Sequence, residues 1–529
     1  MPKDEKRLYG DDDCEEVIPT PILNLPDIKS TKCIRPKDGA PYLIFCCEPT
    51  EKYAHGCPGC GSIDYVYNGT TNQPREIHDI NMGIYRVDLI LKVPKYRCKD
   101  CGTIFTHTFE SVPEARAFTF RLYEQIRRDC FTRPFASVAA EFGYSPASIR
   151  NIFDEYAEEL EEQREVTVAP EVLCIDEKHI VQKMRGVFVD CKTGRLLEMT
   201  EDNSRNTVMA TIEAMENYDA NIRIVTMDMA NGYRSCIHEC LPNAKIIVDK
   251  FHLYQDLNRK VAQVKKQIMT YVKKQIENET DELKKAEKEA AYSIVTHSHR
   301  LFQFSRKRIA SSSLLASNLV NACKTFPEFN HLRLIKEGFE SIYLDATDKA
   351  SAEALYQRWE ELIPPKKGKK KIAEWESKYN LPAALYSELS TFLNTTKSWY
   401  EEIFGYFEED CQYTNAAAEG INSLIQSINA QGAGYGFNRL RAKALYWSNV
   451  ETRVTYSLDK KRLAVYNKGK KPKPFTKGGK AVTPDGYEDV TTVEEHKKAP
   501  RTPLSVFSYV DDGKDFYDFP DDEEDQPSE

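Results

Sequence analysis

The chain has 529 residues, of which 41% are hydrophobic and 29% are charged, a composition typical of a folded protein with several domains. No apolar run approaches the roughly 18 residues needed to span a bilayer, and the polar start is unlike a signal peptide. We therefore expect a cytoplasmic protein rather than a membrane or secreted one. The net charge of −9 lies in residues 511–529, which contain ten acidic residues and one lysine. The 15 cysteines are scattered along a long chain, which favours a metal site over a disulfide scaffold.

Two Cys-x-x-Cys-Gly motifs follow a polar, proline-containing segment, residues 1–40, which we expect to be a flexible lead-in. Thiolates two residues apart form a tight turn, and two such turns can direct four sulfurs at one tetrahedral zinc ion. A redox role is the alternative for a single motif, but a matched pair argues against it. The alternating segment 84–93 predicts a β-hairpin that carries the second motif. We predict a zinc-ribbon-like finger at residues 41–115, with structural Zn²⁺ bound by Cys57, Cys60, Cys98 and Cys101.

Residues 116–165 show the pattern of a helix-turn-helix domain. Two helical segments precede Gly143, and a third helix begins with Ser145 as its N-cap and Pro146 in its first turn. An ordinary three-helix packing unit is the alternative, although the zinc motif upstream favours DNA binding. The third helix is expected to bury Ile149, Ile152 and Phe153. On the DNA-binding interpretation, the residues that face DNA are Ser148, Arg150 and Asn151.

The segment 166–254 predicts three antiparallel strands, a helix, a fourth strand, a second helix and a fifth strand, which is the element order of the RNase H-like fold. In that fold the first and fourth strands are neighbours. Aspartates end three of the strands: Asp176 in 171–177, Asp228 after Ile224–Met227, and Asp249 after Lys245–Val248. Polar groups at the carboxyl ends of parallel strands face a ligand crevice. Asp176 and Asp228 are thus expected to lie close together and form a metal-binding rim, the alternative being that such aspartates cap helices or turns.

Residues 255–408 are helical and charged, and we predict an all-helical insertion. Residues 409–455 then return to the domain of residues 166–254 through an amphipathic helix that carries Glu419, which can reach the two aspartates; a solvated glutamate is the alternative. The predicted buried stripe of this helix is Ile421, Leu424, Ile425 and Ile428, and its predicted polar face is Glu419, Asn422 and Gln426. Residues 456–529 form a basic and then acidic tail that we expect to be disordered.

These motifs together resemble those of the ISL3 family of insertion-sequence transposases, which have a DDE catalytic domain. The resemblance covers roughly residues 41–455 and is carried by the cysteine pairs, the helix-turn-helix, CIDE, TMDMANGY, VDKFH and NAAAEGINSLIQ. It implies that Asp176, Asp228 and Glu419 are the catalytic triad. Asp249 and His252 match the family's D-x-x-H signature. One departure is the segment SINAQGAGYGF, where relatives are more basic, which puts its DNA contacts in doubt; we expect Arg439 and Arg441, on the next helix, to contact DNA.

The resemblance implies a multidomain α/β transposase that binds terminal inverted repeats and cuts and joins DNA with Mg²⁺ or Mn²⁺. Asp176 is expected to bridge two ions, with Asp228 and Glu419 each holding one. His252 either positions the scissile phosphate, orders Asp249, or is a buried structural histidine. The expected partners are double-stranded DNA, both ends and target, and further copies of the chain, in association with a bacterial nucleoid. A DNA-binding regulator derived from a transposase and an RNase H-like nuclease are the alternatives.

Overall fold

The structure is a computed structural model in two compact units. One unit comprises residues 1–164 and 429–463, and the other comprises residues 165–428 and 464–529. Within them the structure describes residues 14–17, 23–36, 40–51, 56–113, 116–446, 475–477 and 480–482. In these ranges no helix is both long and apolar enough to cross a membrane. The predicted tail of residues 456–529 lies outside the described residues except for two short strands, and so do parts of the predicted lead-in.

The first unit contains eight described strands. They are β1 Cys14–Val17, β2 Ile28–Pro36, β3 Tyr42–Pro49, β4 Tyr65–Thr70, β5 Arg75–Met82, β6 Tyr85–Leu91, β7 Pro94–Cys98 and β8 Ile104–Thr106. Five of them form one sheet in the order β1-β2-β3-β6-β5, in which β3 and β6 are parallel. Strand β2 lies inside the predicted lead-in, so the expected flexibility does not extend to residues 28–36. Strand β2 is ordered because it pairs with β3 and because Ile28 and Cys33 are buried in the core of the sheet.

The other three strands form a small antiparallel sheet in the order β4-β7-β8. The second cysteine motif lies in the β7–β8 hairpin. The segment 84–93 was predicted to form a hairpin that carries that motif, but it forms the single strand β6 and the link to β7 instead, and β6 pairs with β5 and β3. The physical reason is burial: alternate residues of β6, Val87, Leu89 and Leu91, are fully enclosed in the core of the larger sheet.

Three helices follow the small sheet: α1 Phe120–Thr132, α2 Phe135–Phe142 and α3 Pro146–Glu162. Ser145 caps α3 by accepting from the backbone N–H of Ser148, and Gly143 ends α2 in the left-handed conformation, both as predicted. A further helix at residues 437–446 packs with them. Its Lys443 is fully buried and donates hydrogen bonds to the carbonyl oxygens of Cys130 and Arg133 at the end of α1.

The second unit is built on a five-stranded sheet in the order β11-β10-β9-β12-β13. The strands are β9 Val172–Ile180, β10 Lys183–Asp190, β11 Leu196–Met199, β12 Ile224–Met227 and β13 Lys245–Val248. The first three are antiparallel, and β12 is parallel to both β9 and β13. The first and fourth strands are therefore neighbours, as the sequence predicts.

The helices of this unit flank the sheet and form the insertion. Those between strands are α4 Arg205–Glu213, α5 Tyr218–Asn221 and α6 Asn231–Cys240. The insertion holds α7 Lys250–Glu277, α8 Glu282–His297, α9 Arg306–Ala310, α10 Ser313–Thr325, α11 Pro327–Leu344, α12 Lys349–Glu361, α13 Lys369–Tyr379, α14 Ser387–Ser398 and α15 Tyr400–Phe404, with short 3₁₀ turns at Ala383–Tyr386 and Gly405–Phe407. Helix α16 Ala416–Gln431 follows. The prediction of an all-helical insertion is confirmed for its described residues.

Candidate metal centres

Two strand ends, the middle of a third strand and two helices bring five titratable side chains together in the second unit. Asp176 lies in β9, Asp228 follows β12, and Asp249 follows β13. The parallel pairing of β9 with β12 ends at Cys174 and Thr226, so Asp176 in the middle of β9 lies level with the residues that follow β12 and β13. His252 lies in the first turn of α7 and Glu419 in the first turn of α16.

His252 belongs to two overlapping groups of side chains. The ligand atoms of Asp176, Asp228 and His252 all lie within 4.8 Å of one another, and so do those of Asp249, His252 and Glu419. Nδ1 of His252 is 2.6 Å from Oδ1 of Asp228 and 3.1 Å from Oδ2 of Asp249. The structure thus brings all five predicted residues into one cluster, with Glu419 grouped on the Asp249 side of the imidazole.

The cluster changes the proton affinity of its members. Burial, and then the negative charge of Asp228, raises the pKa of Asp176 to about 6. Burial, and then the charge of Asp249, raises the pKa of Glu419 to about 7. Burial by itself would lower the pKa of His252. The hydrogen bonds of His252 to Asp228 and Asp249, together with the negative charges of these two carboxylates, instead raise it to about 10. Carboxylates crowded in this way favour a proton or another cation beside them.

Asn422 takes part in this site, although its spacing predicted a place on the polar face of α16. Its side chain is 6% exposed, and its amide nitrogen donates a 2.6 Å hydrogen bond to Oδ2 of Asp176. The other carboxylate oxygen of Asp176 accepts from the backbone N–H of Glu177 at 2.7 Å. The predicted stripe is therefore rotated: Ile425 and Ile428 are buried, but the face that meets the sheet is completed by Ala418 and Asn422, while Ile421 and Leu424 are only half-buried.

Asn415, just before α16, was not singled out from the sequence. It is fully buried and bonded through its side chain to residues of β9 and β12. The available signal was its position four residues before Glu419, which is one helical turn. That spacing does not reveal its partners, which lie 189 and 240 positions away in the chain.

The donor set suits a hard divalent cation. Mg²⁺ prefers oxygen ligands and keeps several waters, so a few carboxylates are sufficient to hold it. Carboxylate oxygens of Asp176, Asp228, Asp249 and Glu419 lie in the two overlapping groups that share His252. Crowding of their charges adds to burial in raising the pKa of Asp176 and of Glu419, and a bound cation would relieve that repulsion. The residues present therefore fit Mg²⁺ or Mn²⁺.

The four predicted zinc ligands form a second cluster in the first unit, with all four sulfurs within 4.8 Å of one another. Sγ of Cys57 is 3.5 Å from Sγ of Cys101, and Sγ of Cys60 is 3.6 Å from Sγ of Cys98. Tetrahedral zinc with bonds of about 2.3 Å requires sulfurs roughly 3.8 Å apart. The glycine after each pair, Gly61 and Gly102, has a φ of +74° and +73°, which lets each turn close back on its first cysteine. This cluster supports structural Zn²⁺.

The predicted DNA-facing residues divide into two sets. Ser148, Arg150 and Asn151 are exposed on the first turns of α3, and Ile149, Ile152 and Phe153 are buried as predicted. The two arginines of the later helix are bonded to carboxylates of α3. The pairs are Arg439 with Asp154, whose shortest separation is 2.7 Å, and Arg441 with Glu161, at 3.0 Å.

Comparisons with known proteins agree with this geometry. The family model of the ISL3 group of DDE transposases, described as "Transposase", matches residues 173–444. A second model, described as the zinc-finger of transposase IS204/IS1001/IS1096/IS1165, matches residues 54–101 and so spans all four cysteines. No curated protein matches the chain. Because the transposase model covers just over half of its length, the chain belongs to the ISL3 family of transposases.

Proposed function

We propose that the protein binds the terminal inverted repeats of its insertion sequence and catalyses strand cleavage and strand transfer with Asp176, Asp228 and Glu419. The observation that carries this is the convergence of carboxylates from β9, β12 and α16 around one edge of the sheet. In the chain these residues are up to 243 positions apart, yet all three lie in the two overlapping groups that share His252.

In this proposal the three carboxylates hold Mg²⁺ or Mn²⁺. Divalent ions in such a site activate an attacking water or 3′-hydroxyl and stabilise the leaving oxygen. Asn422 keeps Asp176 oriented by its 2.6 Å hydrogen bond. Asp249 and His252 support the site, since His252 balances the charge of Asp228 and is fixed by its hydrogen bond to Asp249.

The fold supports this proposal at a coarser level. Three antiparallel strands followed by two parallel ones, in the order β11-β10-β9-β12-β13, is the arrangement expected of an RNase H-like domain. We assign α2 and α3 as a helix-turn-helix, with Ser148, Arg150 and Asn151 facing DNA. Contacts of Arg439 and Arg441 with DNA stay a prediction, since phosphate would compete there with Asp154 and Glu161. We also expect the protein to act on DNA as a dimer or higher assembly.

Replacing Glu419 by Gln tests the assignment, because Gln keeps the shape of the side chain and removes its charge. The purified full-length variant is compared with wild type on DNA that carries the terminal repeat, in Mg²⁺ and in Mn²⁺. We expect strand cleavage to fall roughly 1,000-fold or more, with end binding within about twofold. Glu401→Gln is the matched control, because that side chain is 80% exposed on the insertion.

The outcomes separate this function from the two alternatives. Normal cleavage by the Glu419 variant would remove Glu419 from the triad. Specific end binding by the wild type without any metal-dependent cleavage would indicate a DNA-binding regulator. Cleavage of repeat ends that never join to a target molecule would indicate a nuclease.

A further inference from the structure

The chain returns from the insertion to the sheet through residues 411–415, and the side chain of Asn415 binds this segment to the sheet. The Asn415 side chain is fully buried. Its amide oxygen accepts a 2.5 Å hydrogen bond from the hydroxyl of Thr226 in β12, and its amide nitrogen donates at 3.2 Å to the carbonyl oxygen of Ile175 in β9. Both polar ends of one side chain are thus bonded to the two strands that carry Asp176 and Asp228.

The backbone of the same residue makes two more contacts. Its N–H donates to Oδ1 of Asp249 at 3.3 Å, and its carbonyl oxygen accepts from the N–H of Glu419 at 2.9 Å. The second bond is the first turn of α16. Asn415 therefore contacts β9, β12 and the residue that follows β13, and it also begins the helical turn that carries Glu419.

We propose that Asn415 is a positioning residue, which sets the height and rotation of Glu419 relative to Asp176 and Asp228. This inference rests on the proposed function, since it concerns the same carboxylates. A residue and the one four positions later lie on the same face of a helix, one turn apart. Any shift of the Asn415 backbone away from the sheet is therefore passed to Glu419 without an intervening flexible joint.

The residue before Asn415 is held as well. The thiols of Cys174 and Cys191 both donate to the carbonyl oxygen of Thr414, at 3.7 and 3.4 Å. The approach to α16 is thus tied to the sheet on both sides of one peptide unit. Misplacement of a catalytic group by about 1 Å can reduce a rate roughly 100-fold. Hydrogen bonds that fix the position of Thr414 and Asn415 are therefore expected to affect the rate of cleavage.

Thr226 offers a variant that tests the position without touching the carboxylates. It is fully buried beside Asn415. Thr226→Val preserves the shape of the side chain and removes the hydroxyl, whereas Thr226→Ser keeps the hydroxyl and removes a methyl group. A role in packing alone predicts that Ser is the more harmful change, and a role in hydrogen bonding predicts that Val is. Thr211→Val is the matched control, because among the described residues the Thr211 hydroxyl donates to the carbonyl oxygen of Thr207, within α4 and away from the cluster.

Each variant of the full-length protein is measured for cleavage of repeat-end DNA, for end binding, and for Mn²⁺ affinity from the electron paramagnetic resonance signal of free Mn²⁺. We expect Thr226→Val to lower cleavage roughly tenfold, the effect of one buried hydrogen bond, and to weaken Mn²⁺ binding severalfold, with end binding unchanged. Asn415→Ala removes both side-chain bonds and is expected to do more. Thr226→Ser and Thr211→Val stay within about twofold of wild type in all three measurements.

Glu419→Gln is assayed beside them, so that a failure can be attributed. If that variant still cuts DNA, the proposed function fails. If it is inactive while Thr226→Val cuts DNA and binds Mn²⁺ like wild type, the positioning role of Asn415 fails and the proposed function stands. If Thr226→Ser is impaired as strongly as Thr226→Val, the effect is one of packing and the positioning role is again overturned.

Discussion

Nδ1 of His252 lies 2.6 Å from Oδ1 of Asp228. A histidine held against carboxylates in a half-buried site keeps its proton to high pH, and the pKa of His252 is raised to about 10. The protonated imidazole therefore stabilises the folded protein when no metal is bound, because it offsets the repulsion among the carboxylates.

His252→Gln should lower the free energy of unfolding of the metal-free protein by about 2 kcal/mol at pH 7.5. The folded pKa lies above the usual 6.5, so this stability is fully present below pH 6.5 and is lost as the pH rises through 10. The difference between variant and wild type should accordingly shrink from about pH 6.5 upwards and be nearly gone above pH 10. Denaturation with urea in EDTA, followed by tryptophan fluorescence, measures it, since Trp359, Trp375 and Trp399 all lie in the second unit.

Glu419→Gln should have the opposite effect on the same measurement. The pKa of this carboxyl is raised from 4.5 to about 7, so its contribution to stability is present below pH 4.5 and is lost as the pH rises through 7. Gln does not titrate, and the variant should be more stable than wild type by about 2 kcal/mol at pH 8 and nearly equal to it at pH 4.5. A variant that is less stable than wild type at pH 8 in EDTA would contradict the crowding of charge at this site.

Cys60→Ser should reduce zinc content from one ion per chain to a small fraction, because zinc needs all four thiolates to complete its tetrahedron. Loss of the ion should loosen the β4-β7-β8 sheet and raise its hydrogen exchange. Native mass spectrometry counts the zinc. Cys323→Ser, a half-buried thiol in α10 that is remote in sequence from the cluster, is the control and should retain a full complement.

Arg150→Ala should weaken end binding and reduce the slope of log K against log salt by about 1, the effect of losing one phosphate contact. Arg150 is exposed on the first turns of α3 and makes no ion pair with another described residue. Arg128→Ala, on the exposed face of α1, is the control, since within the described part of the chain Arg128 donates to the carbonyl oxygen of Glu124 in its own helix. Equal losses from the two variants would show that the recognition surface is not the start of α3.

Local patterns in the sequence predict much of this structure. The bounds of β12 and β13 agree with the apolar runs residue for residue, and the cap of α3 follows from Ser145 and Pro146. These features depend on neighbours in the chain, which a single sequence displays. The placing of Asp176 beside Asp228 followed from the strand order alone, and the structure places them in one group.

Features that depend on distant partners could not be predicted in this way. Strand β2 has little alternation of its own, since a bulge interrupts it between Ser30 and Lys32, and it becomes a strand through pairing with β3. Asn422 has the spacing of a solvated residue, and only Asp176, 246 positions away, makes it a buried one. In the sequence, Arg439 and Arg441 likewise indicate a basic helix. Their carboxylate partners lie far away in the chain, on α3, and only the structure identifies them.

The ribosome makes Asn415, Glu419 and Lys443 after most of the protein, because these residues lie late in the chain. A ribosome that has synthesised everything up to residue 410 has made the four predicted zinc ligands, α1 to α3, Asp176, Asp228 and the entire insertion. It has not yet produced Glu419, nor Lys443, which closes the end of α1. The same thirty or so residues complete the carboxylate cluster and the helical domain, so on the proposed function we expect strand cleavage only after these residues have been synthesised.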